Sequence, residues 1–107
     1  MDDSTQQLEK PNFGPIKSLT NLETRVRYEI AGDIVKIGRH PDNQIVLDQD
    51  VYVSTYHAEI FYKDGYYWLQ DANSRNGTLK NNSVLTEPVP LEPGDVVTIG
   101  RTRFEVR

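Results

Sequence analysis

Apolar and polar residues alternate with a period of two along most of this chain, the pattern of strands that bury one face. Val26, Tyr28 and Ile30 fall on one side of an extended segment, with Arg25, Arg27 and Glu29 on the other. Gly32-Asp33 follows and predicts a tight hairpin turn into a second strand over residues 34–38. Residues 44–47 read as a short third strand after the Pro41-Asp42-Asn43 turn. Asp64-Gly65 lies between two alternating runs, residues 57–63 and 66–71, and specifies a β-hairpin because both turn positions need φ > 0. Short extended pieces at 78–80, 84–85 and 89–91 are interrupted by Asn81-Asn82, Pro88 and Pro90. Pro93-Gly94-Asp95 then turns the chain into a last pair, 96–99 and 102–106, around Gly100-Arg101. Strands this short and this closely spaced predict an all-β, two-sheet sandwich.

Before residue 24 the pattern is different. Residues 1–23 are polar, are punctuated by Pro11, Gly14 and Pro15, and carry neither a helical nor an alternating period. They read as a flexible tail, leaving residues 24–107 as the domain. Composition supports the all-β reading: Val, Ile and Thr number 25 against three Ala, which favours a pleated surface over helix.

Charge and chemistry narrow the function. The net charge of −4 is a poor match to a nucleic-acid backbone, so nucleic-acid binding is not expected. Cysteine is absent, which removes disulfides and thiolate catalysis and would leave a zinc ion only His40, His57 and carboxylates. No metal or cofactor is expected. No run of about 18 apolar residues and no signal-like start occurs, so a cytoplasmic protein without membrane insertion is expected. Ser54, His57 and Asp71 could suggest a hydrolytic triad, but Ser and His three residues apart at a strand start do not make one, and an enzyme is not expected. Asp48 and Asp50 lack an oxygen-rich calcium loop around them and read as a solvated loop.

Three segments carry more specific information. Ile37-Gly38-Arg39, then Val53-Ser54-Thr55-Tyr56-His57-Ala58-Glu59-Ile60, then Ser74-Arg75-Asn76-Gly77-Thr78 resemble the forkhead-associated (FHA) family, whose pattern is Gly-Arg, Ser-x-x-His and Asn-Gly in that order. Pro41 to Leu47 and Leu91 to Gly100 extend the resemblance, which covers about residues 25–107. It implies an all-β, FHA-type sandwich of two twisted, mainly antiparallel sheets, with about 11 short strands, that binds a phosphothreonine peptide on loops at one end, as a signalling adaptor downstream of a Ser/Thr kinase.

Carried over residue by residue, the resemblance implies phosphate binding by Arg39, Ser54 and Thr55. Arg39 would supply the cation and Ser54 a hydroxyl donor. Many relatives carry a basic residue at the position of Thr55, so this site has one positive charge fewer. Asn76 would bond the peptide backbone, with Arg75 beside it, while Gly38, His57 and Gly77 would support the loops. Arg101, in a second Gly-Arg outside the family order, reads as surface. The expected partner is a phosphothreonine protein or peptide, such as a Ser/Thr kinase or its substrate, at about micromolar affinity. A phosphorylated Ser4, Thr5, Thr20 or Thr24 would give self-binding through the tail. The alternative is a phosphorylation-independent interaction domain using the sheet faces or the aromatic residues Phe61, Tyr62, Tyr66, Tyr67 and Trp68.

Overall fold

The structure is a computed structural model that describes residues 16–107. Among these residues there is no helix, and eleven strands form two sheets. They are β1 (Ser18–Asn21), β2 (Arg27–Glu29), β3 (Ile34–Gly38), β4 (Ile45–Val46), β5 (Ala58–Lys63), β6 (Tyr66–Asp71), β7 (Thr78–Lys80), β8 (Ser83–Val84), β9 (Val89–Pro90), β10 (Val96–Ile99) and β11 (Thr102–Val106). One sheet runs β2-β1-β11-β10-β7-β8 and the other β4-β3-β5-β6-β9. The β3–β4 pair is parallel and the other described pairs are antiparallel.

The predicted turns form where the residue chemistry requires them. Asp64 (φ 56°) and Gly65 (φ 88°) both take the left-handed conformation and join β5 to β6. Asn81 and Asn82 do the same between β7 and β8, with φ of 51° and 71°. The Gly100-Arg101 hairpin pairs Ile99 with Thr102. Alternation buries Val35, Ile37, Ile60 and Leu69 from one sheet against Leu19, Val97, Ile99, Phe104 and Val106 from the other. This shared core fixes the positions of the loops at the ends of the strands.

Three expectations need correction. Residues 18–21, read as tail, form β1, an interior strand bonded to both β2 and β11. Ser18, Leu19 and Thr20 are all buried, so this strand has no exposed polar face to reveal its period, and its Ser-Leu-Thr-Asn composition is largely polar. The domain therefore begins at least at Ile16, itself buried; the rest of the expected tail, residues 1–15, lies outside the described residues. Gly32-Asp33 does not close a hairpin, because β2 and β3 belong to different sheets. The chain crosses the sandwich there: Tyr28 packs edge-on against Phe104 in the six-stranded sheet, at 5.9 Å between ring centroids, while Ile34 pairs with Phe61 in the other. Val26, expected on the buried face with Tyr28 and Ile30, is 47% exposed in the segment just before β2.

Leu19→Ala should lower stability by about 3 kcal/mol in urea denaturation, since a fully buried leucine is removed from the junction of the two sheets. A chain shortened to begin at residue 24 should lose the cooperative transition altogether.

Candidate functional site

The residues singled out in the sequence come together on three loops at one end of the sandwich. Arg39 directly follows β3, and its backbone N–H donates to the Ser54 carbonyl at 3.1 Å, while His40 N–H donates to the Thr55 carbonyl at the same distance. The loop before β4 is thereby zipped to the loop before β5. Asn43, buried beneath them, donates from Nδ2 to both the His40 carbonyl (2.7 Å) and the Thr55 carbonyl (2.9 Å). Gly38 is needed for this approach. A Cβ there would collide with the Thr55 carbonyl and lie 2.9 Å from the Asn43 amide. The His40 ring stacks on Tyr56 at 5.4 Å. Arg39 is exposed, and among the described residues its guanidinium makes no hydrogen bond or ion pair, so this cation is uncommitted.

His57 joins the second loop to the third from inside. Its ring is completely buried; Nδ1 accepts the Ser54 N–H at 2.9 Å, so the ring proton sits on Nε2 and is donated to the Gly77 carbonyl at 2.8 Å. Gly77 has φ 85°, a conformation that favours glycine. The Ser54 hydroxyl oxygen accepts the Arg75 N–H at 3.0 Å, which leaves its own proton free to be donated outward. Asn76 donates from Nδ2 to the Tyr52 carbonyl at 2.8 Å and leaves its carbonyl oxygen exposed. Thr55 is exposed next to Ser54 and brings no charge.

The third loop is organised by Asp71 at the end of β6. Its carboxylate accepts from the Ser74 N–H at 2.9 Å, the Ser74 hydroxyl and the Thr78 hydroxyl, and the Ser74 oxygen in turn accepts the Gly77 N–H at 2.9 Å. Burial raises the Asp71 carboxyl, but hydrogen bonds from the Ser74 and Thr78 hydroxyls and the Ser74 N–H outweigh it and hold the group below its ordinary value.

A fourth element joins the same end. The turn between β10 and β11 is fastened to the loop before β5 by Asp50, whose carboxylate accepts from Arg101 N–H, the Thr102 hydroxyl and Tyr52 N–H. Asp50 is thus a part-buried acceptor, not the solvated residue expected. Burial raises its carboxyl, and those three hydrogen bonds with the nearby Arg101 charge more than offset this, giving a net lowering. Arg101 is exposed as expected, but its guanidinium lies over the Tyr52 ring, 5.1 Å from the centroid, beside a groove of about 530 Å³ that Val26, Val51 and Tyr52 also line. Among the described residues, no three His, Asp or Glu side chains gather into a metal site.

Comparison with known proteins shows the family. The family model of the FHA domain matches residues 35–100. The chain belongs to the FHA domain family. Its relatives include the FHA domain-containing protein FhaB of Mycobacterium tuberculosis, 34% identical over 84 residues, which are 78% of this chain and 54% of FhaB. The glycogen accumulation regulator GarA of Mycolicibacterium smegmatis is 46% identical over 67 residues, 63% of this chain and 41% of GarA. This FHA chain therefore spans about half the length of the curated relatives it matches. A solved structure from a study of phosphothreonine-dependent FHA domain interactions superposes with a TM-score of 0.79 at 32% identity, covering 86% of this chain and 95% of its own.

Within this FHA domain, the organising role of three residues, Asn43, Asp50 and Asp71, was not read from the sequence. Asp71 is followed by Asn73 and Ser74, a local signal for side-chain-to-backbone bonding that could have marked it, and Asn43 closes the Pro41-Asp42-Asn43 turn, whereas Asp50, followed by Val51-Tyr52-Val53, carries no such local signal.

His57→Ala should lower stability by roughly 3 kcal/mol, as it strands two buried polar groups and leaves a cavity; chemical denaturation measures it. For Asp71 the sign follows from a folded-state pKa below the unfolded one: its contribution is present above about pH 4 and is lost as the pH falls through the folded value. The stability gap between the parent and Asp71→Asn, followed by urea titration at successive pH values, should narrow below about pH 4.

Proposed function

We propose that this FHA domain reads phosphothreonine in a peptide or protein partner and acts as an adaptor in Ser/Thr kinase signalling. FHA domains as a class recognise phosphorylated motifs through arginine. The observation that carries the reading here is the pairing of an uncommitted Arg39 with a Ser54 hydroxyl whose acceptor role is already filled by Arg75 N–H. The backbone bond from Arg39 N–H to the Ser54 carbonyl ties their loops together, which supports a cation and an outward donor acting on one ligand. A phosphate satisfies both. Thr55 adds a backbone N–H and a hydroxyl but no charge, while Arg75 and Asn76 extend the site toward the peptide. Asn76, with an exposed amide oxygen, suits a peptide backbone N–H, and this converts anion binding into peptide recognition.

The partner is a phosphothreonine protein such as a kinase or its substrate, and the proposed setting is cytoplasmic. Among the described residues no helix is long and apolar enough to cross a membrane. Self-binding through a phosphorylated segment is restricted by the fold. Thr20 is buried in β1 and is unavailable while that strand is formed, Thr24 is exposed, and Ser4 and Thr5 lie outside the described residues.

A second, phosphate-independent surface has its own support. Strand register aligns Ile34, Phe61, Trp68 and Pro90 across β3, β5, β6 and β9, on the face turned away from the core. A partner held there would remain bound after Arg39 is removed.

Calorimetry with phosphothreonine peptides tests the first reading. Arg39→Ala and Ser54→Ala should each weaken binding about tenfold or more, and replacing the phosphothreonine by Glu should abolish measurable affinity, because a planar carboxylate offers too few acceptors. Undiminished binding by both variants would overturn the site.

A further inference from the structure

Tyr52 is held from three directions. Asp50 Oδ1 accepts its N–H at 3.0 Å, the Arg101 guanidinium covers its ring, and its carbonyl accepts the Asn76 amide at 2.8 Å. Asp50 is itself fixed from a distant part of the chain: its Oδ2 accepts from Arg101 N–H at 2.8 Å and from the Thr102 hydroxyl at 2.7 Å, residues 51 and 52 positions further on. The contact is tight. A Cβ on Gly100 would lie 2.7 Å from Asp50 Oδ2 and 2.6 Å from Val53 Cγ2, so the β10–β11 turn presses directly on this loop.

The Asn76 side chain makes one hydrogen bond among the described residues, and it is the one to Tyr52. The direction in which its free carbonyl oxygen points is therefore set by the Tyr52 carbonyl, and that carbonyl by Asp50. We infer that Asp50 is a positioning residue for peptide recognition, which orients the Asn76 amide through Tyr52 without touching the ligand. This rests on the phosphothreonine-peptide reading above. It divides the site into two supports: His57 holds the Ser54 N–H and so the phosphate half, while the Asp50 carboxylate, anchored to Arg101 and Thr102 of the opposite sheet, holds the peptide half.

A double-mutant cycle isolates this coupling from a general loss of fold. One phosphothreonine peptide is titrated by calorimetry into the parent, Asp50→Asn, Asn76→Ala and the double variant. Asparagine keeps the size of Asp50 but directs an NH₂ group at donors, so Asp50→Asn should weaken binding about tenfold in the parent, and less than about twofold where Asn76 is already alanine. Thr102→Val, which removes one of the three bonds to Asp50, should give the same pattern with a smaller loss and serves if Asp50→Asn does not fold. An equal loss in both Asn76 backgrounds would overturn the inference, as would unchanged affinity in Asp50→Asn. Undiminished binding by Asn76→Ala would overturn it together with the peptide-reading role of Asn76, whereas a failure of the phosphate site itself would be seen separately in Arg39→Ala and Ser54→Ala.

Discussion

The loop end that carries the proposed site depends on the two hydrogen bonds of the His57 ring, one received from the Ser54 N–H and one given to the Gly77 carbonyl. Loops carry backbone polar groups that cannot be buried unpaired, and these two are paired by a single rigid ring that water does not reach. The loop before β5 and the loop before β7 consequently cannot move independently. The remaining contacts build outward from this point. Arg75 N–H reaches the Ser54 hydroxyl, Asp71 gathers Ser74 and Thr78 around the Gly77 turn, and residues 39–40 pair with 54–55 along the backbone. A site whose donors are fixed before the ligand arrives loses little entropy on binding, which is how a few charge-assisted bonds can be sufficient.

Electrostatics at this end run against the chain as a whole. The protein carries a net charge of −4, yet Arg39, Arg75 and Arg101 all stand on the loops of one end. Two are tied by their backbones to residues of the site, Arg75 through the Ser54 hydroxyl and Arg101 through Asp50. With Thr55 neutral, the charge for a phosphate group rests on Arg39 and its neighbours on adjoining loops. A phosphorylated partner of the proposed kind would thus be attracted locally and repelled elsewhere, and the attraction should weaken with ionic strength.

Strands bounded by glycine or asparagine turns were legible in the sequence because their φ requirement and their alternation are both local. The β5–β6 hairpin follows from Asp64-Gly65 in this way, and the β10–β11 hairpin from Gly100-Arg101. β1 was not legible, since an interior strand of Ser, Leu, Thr and Asn shows neither an apolar run nor an alternation. With β1 hidden, β2 had no partner but β3, and the crossing between sheets at Gly32 read as a hairpin. At the proposed site, Arg39, Ser54, His57 and Asn76 stood out through the resemblance of their order and spacing to the FHA pattern, and the fold brings their loops together. Asp50 was not, because the groups that give it meaning, Arg101 and Thr102, lie half the chain away and are brought close only by folding.

The central claim, that this end of the sandwich is a preorganised phosphothreonine clamp, is tested most directly by residue-resolved NMR titration of backbone amides with one peptide in its phosphorylated and unphosphorylated forms. The account predicts shifts confined to Arg39, Ser54, Thr55, Arg75, Asn76 and their loop neighbours, produced by the phosphorylated peptide alone. Equal shifts from both peptides, or shifts centred on Phe61 and Trp68 of the outer sheet face, would contradict it.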